Sequence, residues 1–478
     1  LSSKNLLSFS STGSTFFSHL NISRKCQTSK TLRLRLHLLL CQLRGYVLLN
    51  RSFLKNLLHS DIVYVSGLAE TGALGLQLPK TSEANKKKNA LLYAEYPKRI
   101  SFGEKHNVNV TSGYGFTAFA IKSKDCFKVF GTGLNTDSQI GYQAPRRLNP
   151  LETLLYPAPI TLPLQEPETT NVISLSAGRA HLVIATDNEG VYTLGNNAYG
   201  QCGRKIIDSE NYSGSMVINK IDSLDGENIV GVQCGQDHRF DCFFYSLNLV
   251  LFMFITESGK VYACGWGSDG QLGRGNYATD GSPTRVIGDI ESENIVKISC
   301  SADCVLITLT FNKGEVFGWG NTEYGQLNSD NNSLQQMNVS RAIKVCNGLG
   351  KIIDIASGGS FCMVLNENGD VYSWGYGILG MGPQVQQSFK PLQIPATLFG
   401  KNEFNPDSKV TGITCGIGHM AAIADQGDLY TWGKNKHGCL GLGHSKDQFY
   451  PLKVSIGARV LKVACGIDHT IYLCKAFV

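Results

Sequence analysis

Four histidines stand at one distance from a turn glycine: His181, His238, His419 and His469 follow Gly178, Gly235, Gly416 and Gly466 by three residues each. Imidazole transfers protons near neutral pH and binds metals, so four of them gathered in one place would make a catalytic or metal centre. One histidine per separate repeat is instead how structural residues recur, each a neutral ring bonded to nearby backbone. The fifteen cysteines are scattered, and Cys234, Cys300, Cys415 and Cys465 share one repeat position that asks for a small buried side chain. They read as free core thiols of a reducing compartment. Cys300 and Cys304 form a close pair, but no second pair or histidine cluster completes a metal site. The recurring W-G-x-x-x-x-G phrases lack the following lysine and helix of a phosphate loop. No Ser-His-Asp order or paired carboxylates stand outside the repeats. These residues predict a regulator or binding protein, not an enzyme, with no cofactor and no metal.

Charged residues that the repeats do not explain are the remaining candidates for partner contacts. Arg179 is the charged insert of the first histidine motif, Arg204 and Lys205 extend a turn into a charged loop, and Lys86, Lys87 and Lys88 form a basic cluster. Each reads equally as a solvated surface charge. Trp319, Trp374 and Trp432 share one repeat position and are expected in the core, whereas Trp266 stands two residues beyond it.

Two alternating phrases must position all of these. One is an apolar strand ending in a small-residue turn, as in LSAGRAHLVI, ITCGIGHM and VACGIDHTIYL. The other is a hairpin into V-Y-x-W-G followed by a glycine-rich turn, as in VYTLGNNAYGQCG, VFGWGNTEYGQLN and LYTWGKNKHGCLG. Seven copies of each are present, the second kind beginning at Val63, Val129, Val191, Val261, Val316, Val371 and Leu429. Turns such as DNEG and NENG join short antiparallel strands. A lone four-stranded sheet cannot bury both faces, but sheets arranged radially bury each against its neighbours. The half-unit at the end of the chain and its complement at 62–76 then predict an all-β, seven-bladed β-propeller over 61–478, closed by pairing of N-terminal and C-terminal strands.

Residues 1–60 hold nine Lys and Arg and no Asp or Glu, which leaves 35 basic against 38 acidic residues in the rest of the chain. The predicted ring is therefore not globally basic. Arg-rich, Ser-rich, acid-free composition reads as a disordered mitochondrial transit segment; the other reading is untranslated or intronic sequence. One spacing breaks the pattern. From turn glycine to the next V-Y strand is 13 residues after Gly178, Gly358 and Gly416, and 26 after Gly235. The excess is an apolar insertion near 240–254, too short to span a bilayer as a helix, and read as a retained intron in preference to a membrane-touching loop. Segments 85–99, 145–167 and 204–215 read as solvated connections.

The two phrases together resemble the regulator of chromosome condensation repeat family, over about 415 of the 478 residues. GRAH, GNNAYGQCGRK, CGQDH, CGWG, WGYGILG, LFGKNEFNP and WGKNKHGCLG, in this order, are similar to its mitochondrial branch. Departures are Leu194 and Cys264 at the tryptophan position, Ser301 at the turn glycine with Cys304 near the histidine position, and one turn residue lacking in the blade at 371. The resemblance implies a guanine nucleotide exchange factor acting on the dynamin-like GTPase of mitochondrial inner-membrane fusion. An alternative implied role is a scaffold for mitochondrial ribosomal RNA and its pseudouridine-forming enzymes. It also implies the mitochondrial matrix or a peripheral place on the inner membrane, without a transmembrane helix.

Overall fold

A computed structural model describes residues 61–76, 92–102, 108–124, 127–143, 150–224, 226–235, 251–301, 304–309, 313–327, 338–345 and 348–477. The leader, the Lys86–Lys88 cluster, His238 and residues 240–250 of the insertion lie outside them.

The strands form seven four-stranded antiparallel sheets. β1 (Ile62–Leu68) and β2 (Tyr93–Ile100) begin a sheet that is finished only at the end of the chain. β3 (Val108–Ser112), β4 (Phe116–Ile121), β5 (Val129–Leu134) and β6 (Thr153–Ile160) make the next. Then come β7 (Val172–Ala177), β8 (His181–Thr186), β9 (Val191–Gly195) and β10 (Asn219–Lys220), followed by β11 (Ile229–Cys234), β12 (Leu251–Thr256), β13 (Val261–Gly265) and β14 (Asp280–Arg285). The next sheet holds β15 (Ile295–Cys300), β16 (Cys304–Leu309), β17 (Val316–Asn321) and β18 (Asn338–Val345); its neighbour holds β19 (Ile352–Ser357), β20 (Phe361–Asn366), β21 (Val371–Tyr376) and β22 (Gln387–Gln393). β23 (Val410–Cys415), β24 (His419–Ala424), β25 (Leu429–Gly433) and β26 (Gln448–Lys453) precede β27 (Arg459–Cys465) and β28 (His469–Lys475). The order β2-β1-β28-β27 unites the two ends of this series in one sheet, with β1 paired to β28 from Ile62↔Cys474 to Gly67↔His469.

The first strands of the sheets lie side by side in a circle: β3, β7, β11, β15, β19, β23, β27 and back to β3. Each sheet packs its faces on its two neighbours, which is why second strands such as HLVIAT, FTAFAI and FCMVLN are buried along their whole length and show no alternation. At the seam between the closing sheet and the β3–β6 sheet, Val63, Val65, Ile471 and Leu473 meet Val110, Phe119 and Ile121.

The glycine ending each V-Y-x-W-G phrase is a backbone requirement. Gly67, Gly133, Gly195, Gly265, Gly320, Gly375 and Gly433 all have φ between 101° and 116°. A Cβ on Gly433 would lie 2.6 Å from the Gly418 carbonyl oxygen. Here the third strand presses on the turn before the second strand and the outer strand slips register, as between Thr431 and Gly433. The skipped residue is the repeat tryptophan. Trp319 Nε1 donates to the Gln271 carbonyl of the preceding sheet at 2.7 Å, and Trp374 Nε1 to that of Gln326 at 2.9 Å.

Four sequence expectations are corrected. Of the segments read as connections, 85–99 runs into the outer strand Tyr93–Ile100 and 145–167 contains the outer strand Thr153–Ile160. Residues 251–254, read as insertion, open β12, a fully buried strand paired with β11 and β13. In that sheet Leu251, not His238, stands opposite the V-Y-strand glycine, in the register Leu251↔Gly265 that matches His181↔Gly195. The short turn at 371 lacks three residues, not one: Thr193 and Thr431 donate to carbonyls nine residues on, and Ser373 to one six residues on. The indole N–H of Trp432, which packs on this short turn, is buried without an acceptor.

Candidate functional site

The histidines do not converge. His419 Nε2 meets Thr470 Oγ1 of the next sheet at 2.9 Å, and His469 Nε2 meets Thr117 Oγ1 at 3.1 Å. Those hydroxyls donate their one proton onward to the carbonyls of Cys439 and Ala73, both at 2.8 Å, so each ring Nε2 donates its N–H to the hydroxyl and belongs to a tie between sheets. His181 faces the edge of the Phe252 ring at 4.6 Å, and neither of its nitrogens has a partner. Burial lowers all three, His181 and His469 to about 3 and His419 to about 4, so the rings are neutral at physiological pH. Among the described residues no group of three or more His, Cys, Asp or Glu side chains is placed to hold a metal.

The turns between first and second strands, and the segments that follow the third strands, share one end of every sheet and make one face of the ring. Arg179 lies over the Tyr114 ring of the adjacent sheet, 5.7 Å from its centroid. Arg204 is spent within its own loop, where its guanidinium pairs with Glu210 at 2.6 Å, both side chains mostly buried. Lys205 is exposed, while its carbonyl accepts from Asn197 Nδ2. Thus Arg179 and Lys205 remain surface candidates on one sheet and Arg204 shapes its loop. The same face carries aromatic pairs that the sequence did not announce. Tyr199 and Trp266 from neighbouring sheets meet edge-on at 4.9 Å, and Tyr324 stacks on Tyr376 at 5.1 Å. Trp266, two residues past the core tryptophan position, is half-buried with its indole N–H unpartnered, and Tyr376 is 48% exposed. Rigid aromatic side chains together with arginine are the composition of a protein-docking surface.

The circle of first strands encloses a channel of ≈ 330 Å³. The repeat cysteines Cys234, Cys300, Cys415 and Cys465 line it, with Ser112, Ala177 and Ser357 at the equivalent strand ends. Burial pushes the Cys465 thiol up to about 12 and Cys234 well above the usual range, so these are unreactive packing thiols. Lys297, Asp354 and Lys462 enter the channel near the starts of β15, β19 and β27. Lys297 Nζ pairs with Asp354 Oδ1, and Asp354 also accepts the backbone N–H groups of Ile355 at 2.7 Å and Ile413 at 3.0 Å. Lys462 Nζ donates to Asn109 Oδ1 at 2.6 Å. The signal that would have found this trio is charge at the third or fourth place of an otherwise apolar first strand: IVKISC, IIDIAS, RVLKVAC.

A ring of sheets built from these two phrases defines a repeat propeller. The repeat described as "Regulator of chromosome condensation (RCC1) repeat" matches residues 188–240, 258–307, 313–365, 368–423 and 426–473, together more than half of the chain. The chain belongs to the RCC1 repeat family. It is 42% identical over 426 residues to the human "RCC1-like G exchanging factor-like protein", covering 88% of each chain. The crystal structure of human WBSCR16 is similar at 39% identity and TM-score 0.78, over 87% of this chain and all of that one. Prp20p of Saccharomyces cerevisiae, at 19% identity and TM-score 0.66 over 88% of this chain and 92% of its own, shares the fold.

Proposed function

We propose that this protein is a guanine nucleotide exchange factor whose turn face, with Arg179, Tyr199, Lys205, Trp266 and Tyr376, docks a GTPase, and that the GTPase is the dynamin-like enzyme of mitochondrial inner-membrane fusion. The observation that carries the reading is the 42% identity, over nearly the whole propeller, to a relative named as a G exchanging factor. Exchange asks for no reactive side chain. A surface that binds the nucleotide-free GTPase more tightly than the loaded one drives nucleotide release by that difference alone, each 1.4 kcal/mol being about tenfold. A rigid ring suits this work because it holds the shape of the nucleotide-free partner without yielding. Release of a fluorescent guanine nucleotide from the purified GTPase, with and without this protein, tests the reading. Acceleration that falls about tenfold or more in W266A, with the fold intact, supports it; no acceleration at saturating protein refutes it. On this reading the protein works in the mitochondrial matrix or on the matrix side of the inner membrane. Among the described residues no helix is long and apolar enough to cross a membrane.

A further inference from the structure

The three charged side chains in the channel do not balance. Asp354 is fully engaged by Lys297 and two backbone N–H groups, so its charge is matched inside its own cluster. Lys462 has a neutral amide as its partner. Its strand, β27, and β15, which carries Lys297, are separated on the circle by β19 and β23, so the two lysines enter the channel from different sides. They still feel each other: enclosure by protein, and next the Lys297 charge, lower Lys462 to about 8. Lys462 is solvent-exposed at the channel opening, and two lysines against one carboxylate around an enclosed space favour an anion between them. Asn109 Oδ1 takes both Lys462 Nζ and the Val110 N–H at 3.0 Å, which fixes the position of the ammonium on β3. The cavity, although lined in part by apolar strand residues, is open to solvent at Lys462 and large enough for several water-sized groups.

We propose that the channel is an anion-binding site in which Lys462, supported by Lys297 and Asn109, holds one oxyanion, a phosphate or a carboxylate. Such an anion ties β27 and β3 to β15 across the ring through charge-assisted hydrogen bonds, which are about twice as strong as neutral ones. The site is separate from the turn face, because the lysines stand near the first-strand starts, at the opposite end of the sheets.

Thermal unfolding and isothermal titration of the full chain, with sodium phosphate or sodium succinate against sodium perchlorate at constant ionic strength, test the proposal. A saturable stabilisation by phosphate identifies a phosphate site, and one by succinate a carboxylate site; either supports the proposal. K462Q is expected to weaken that binding at least tenfold, K462R to keep it within about threefold, and the surface variant K205Q to leave it unchanged. The unfolding transition of K462Q without added anion, expected to match that of the unaltered protein, separates lost binding from misfolding, and K205Q controls for loss of a surface charge. No saturable response to either anion, or equal binding by K462Q and the unaltered protein, overturns it.

Discussion

At the seams leading into the closing sheet, His419 reaches Thr470 and His469 reaches Thr117, and each threonine passes the bond on to a backbone carbonyl. At the seam between the β7–β10 and β11–β14 sheets the same histidine position meets an aromatic edge, because Phe252 follows Leu251 where a threonine follows His469 and Phe116 elsewhere. One repeat residue therefore serves as a polar tie at one side of the ring and as an unmet polar group at the other. A buried hydrogen bond contributes about 1 kcal/mol net, but an orphaned donor or acceptor costs about 1–3 kcal/mol. The seam beside the insertion is the weaker one.

The largest effect on that side of the ring is expected from G67A, inside the closing sheet itself. A Cβ at Gly67 would lie 2.2 Å from the Asp468 carbonyl oxygen, so the closing sheet has to open; a loss of about 3 kcal/mol or more is expected in denaturant unfolding. T470V keeps the shape but strands the His419 ring nitrogen, while the Cys439 carbonyl keeps the Ser66 hydroxyl, and is expected to cost about 1–2 kcal/mol by the same measurement. H181F tests the weaker seam in the other direction. Phe116 and Phe361 already occupy this register position opposite Gly133 and Gly375, so the variant should be neutral or more stable by about 1 kcal/mol, whereas H419F should lose about 2 kcal/mol. Stability against pH sharpens the contrast. The folded values of about 3 to 4 lie below the unfolded 6.5, so the unfolded chain binds protons that the folded ring refuses. Stability is complete above pH 6.5 and falls as pH drops towards 4, at up to about 1.4 kcal/mol per pH unit for each histidine. H181F should remove one proton's share of that slope. The smallest effect is a difference: W374F should cost about 1 kcal/mol more than W432F, since Trp374 bonds the Gln326 carbonyl and the Trp432 N–H has no acceptor.

Much of the architecture was legible because its constraints fall on single residues. The V-Y-x-W-G glycines are required by φ, and the apolar second strands by burial on both faces. Outer strands were not legible, since they are exposed and carry prolines that suggest loops: Pro97, Pro157, Pro159, Pro283, Pro391 and Pro451. Proline belongs on such edges, where a missing N–H breaks no inner ladder and discourages pairing with other chains. The insertion hid β12 because apolar residues run from it into the strand without punctuation. Of the candidate contact residues, Arg179 and Lys205 were singled out on their charge alone. The engagement of Arg204 was not legible because Glu210, its partner, is six residues away in a loop without periodicity. The channel lysines and the paired aromatics escaped notice because their meaning arises only when separate sheets are brought together.

The order β2-β1-β28-β27 also sets a timetable for synthesis. β1 is made before the other described strands, yet β28, one of its two neighbours, is made after all of them, so the ring stays unlocked until the strand ending at Lys475 is free. A product that stops before β28 lacks the keystone of the ring, and it exposes the raw borders of β1 and β27 for proteases and chaperones to read.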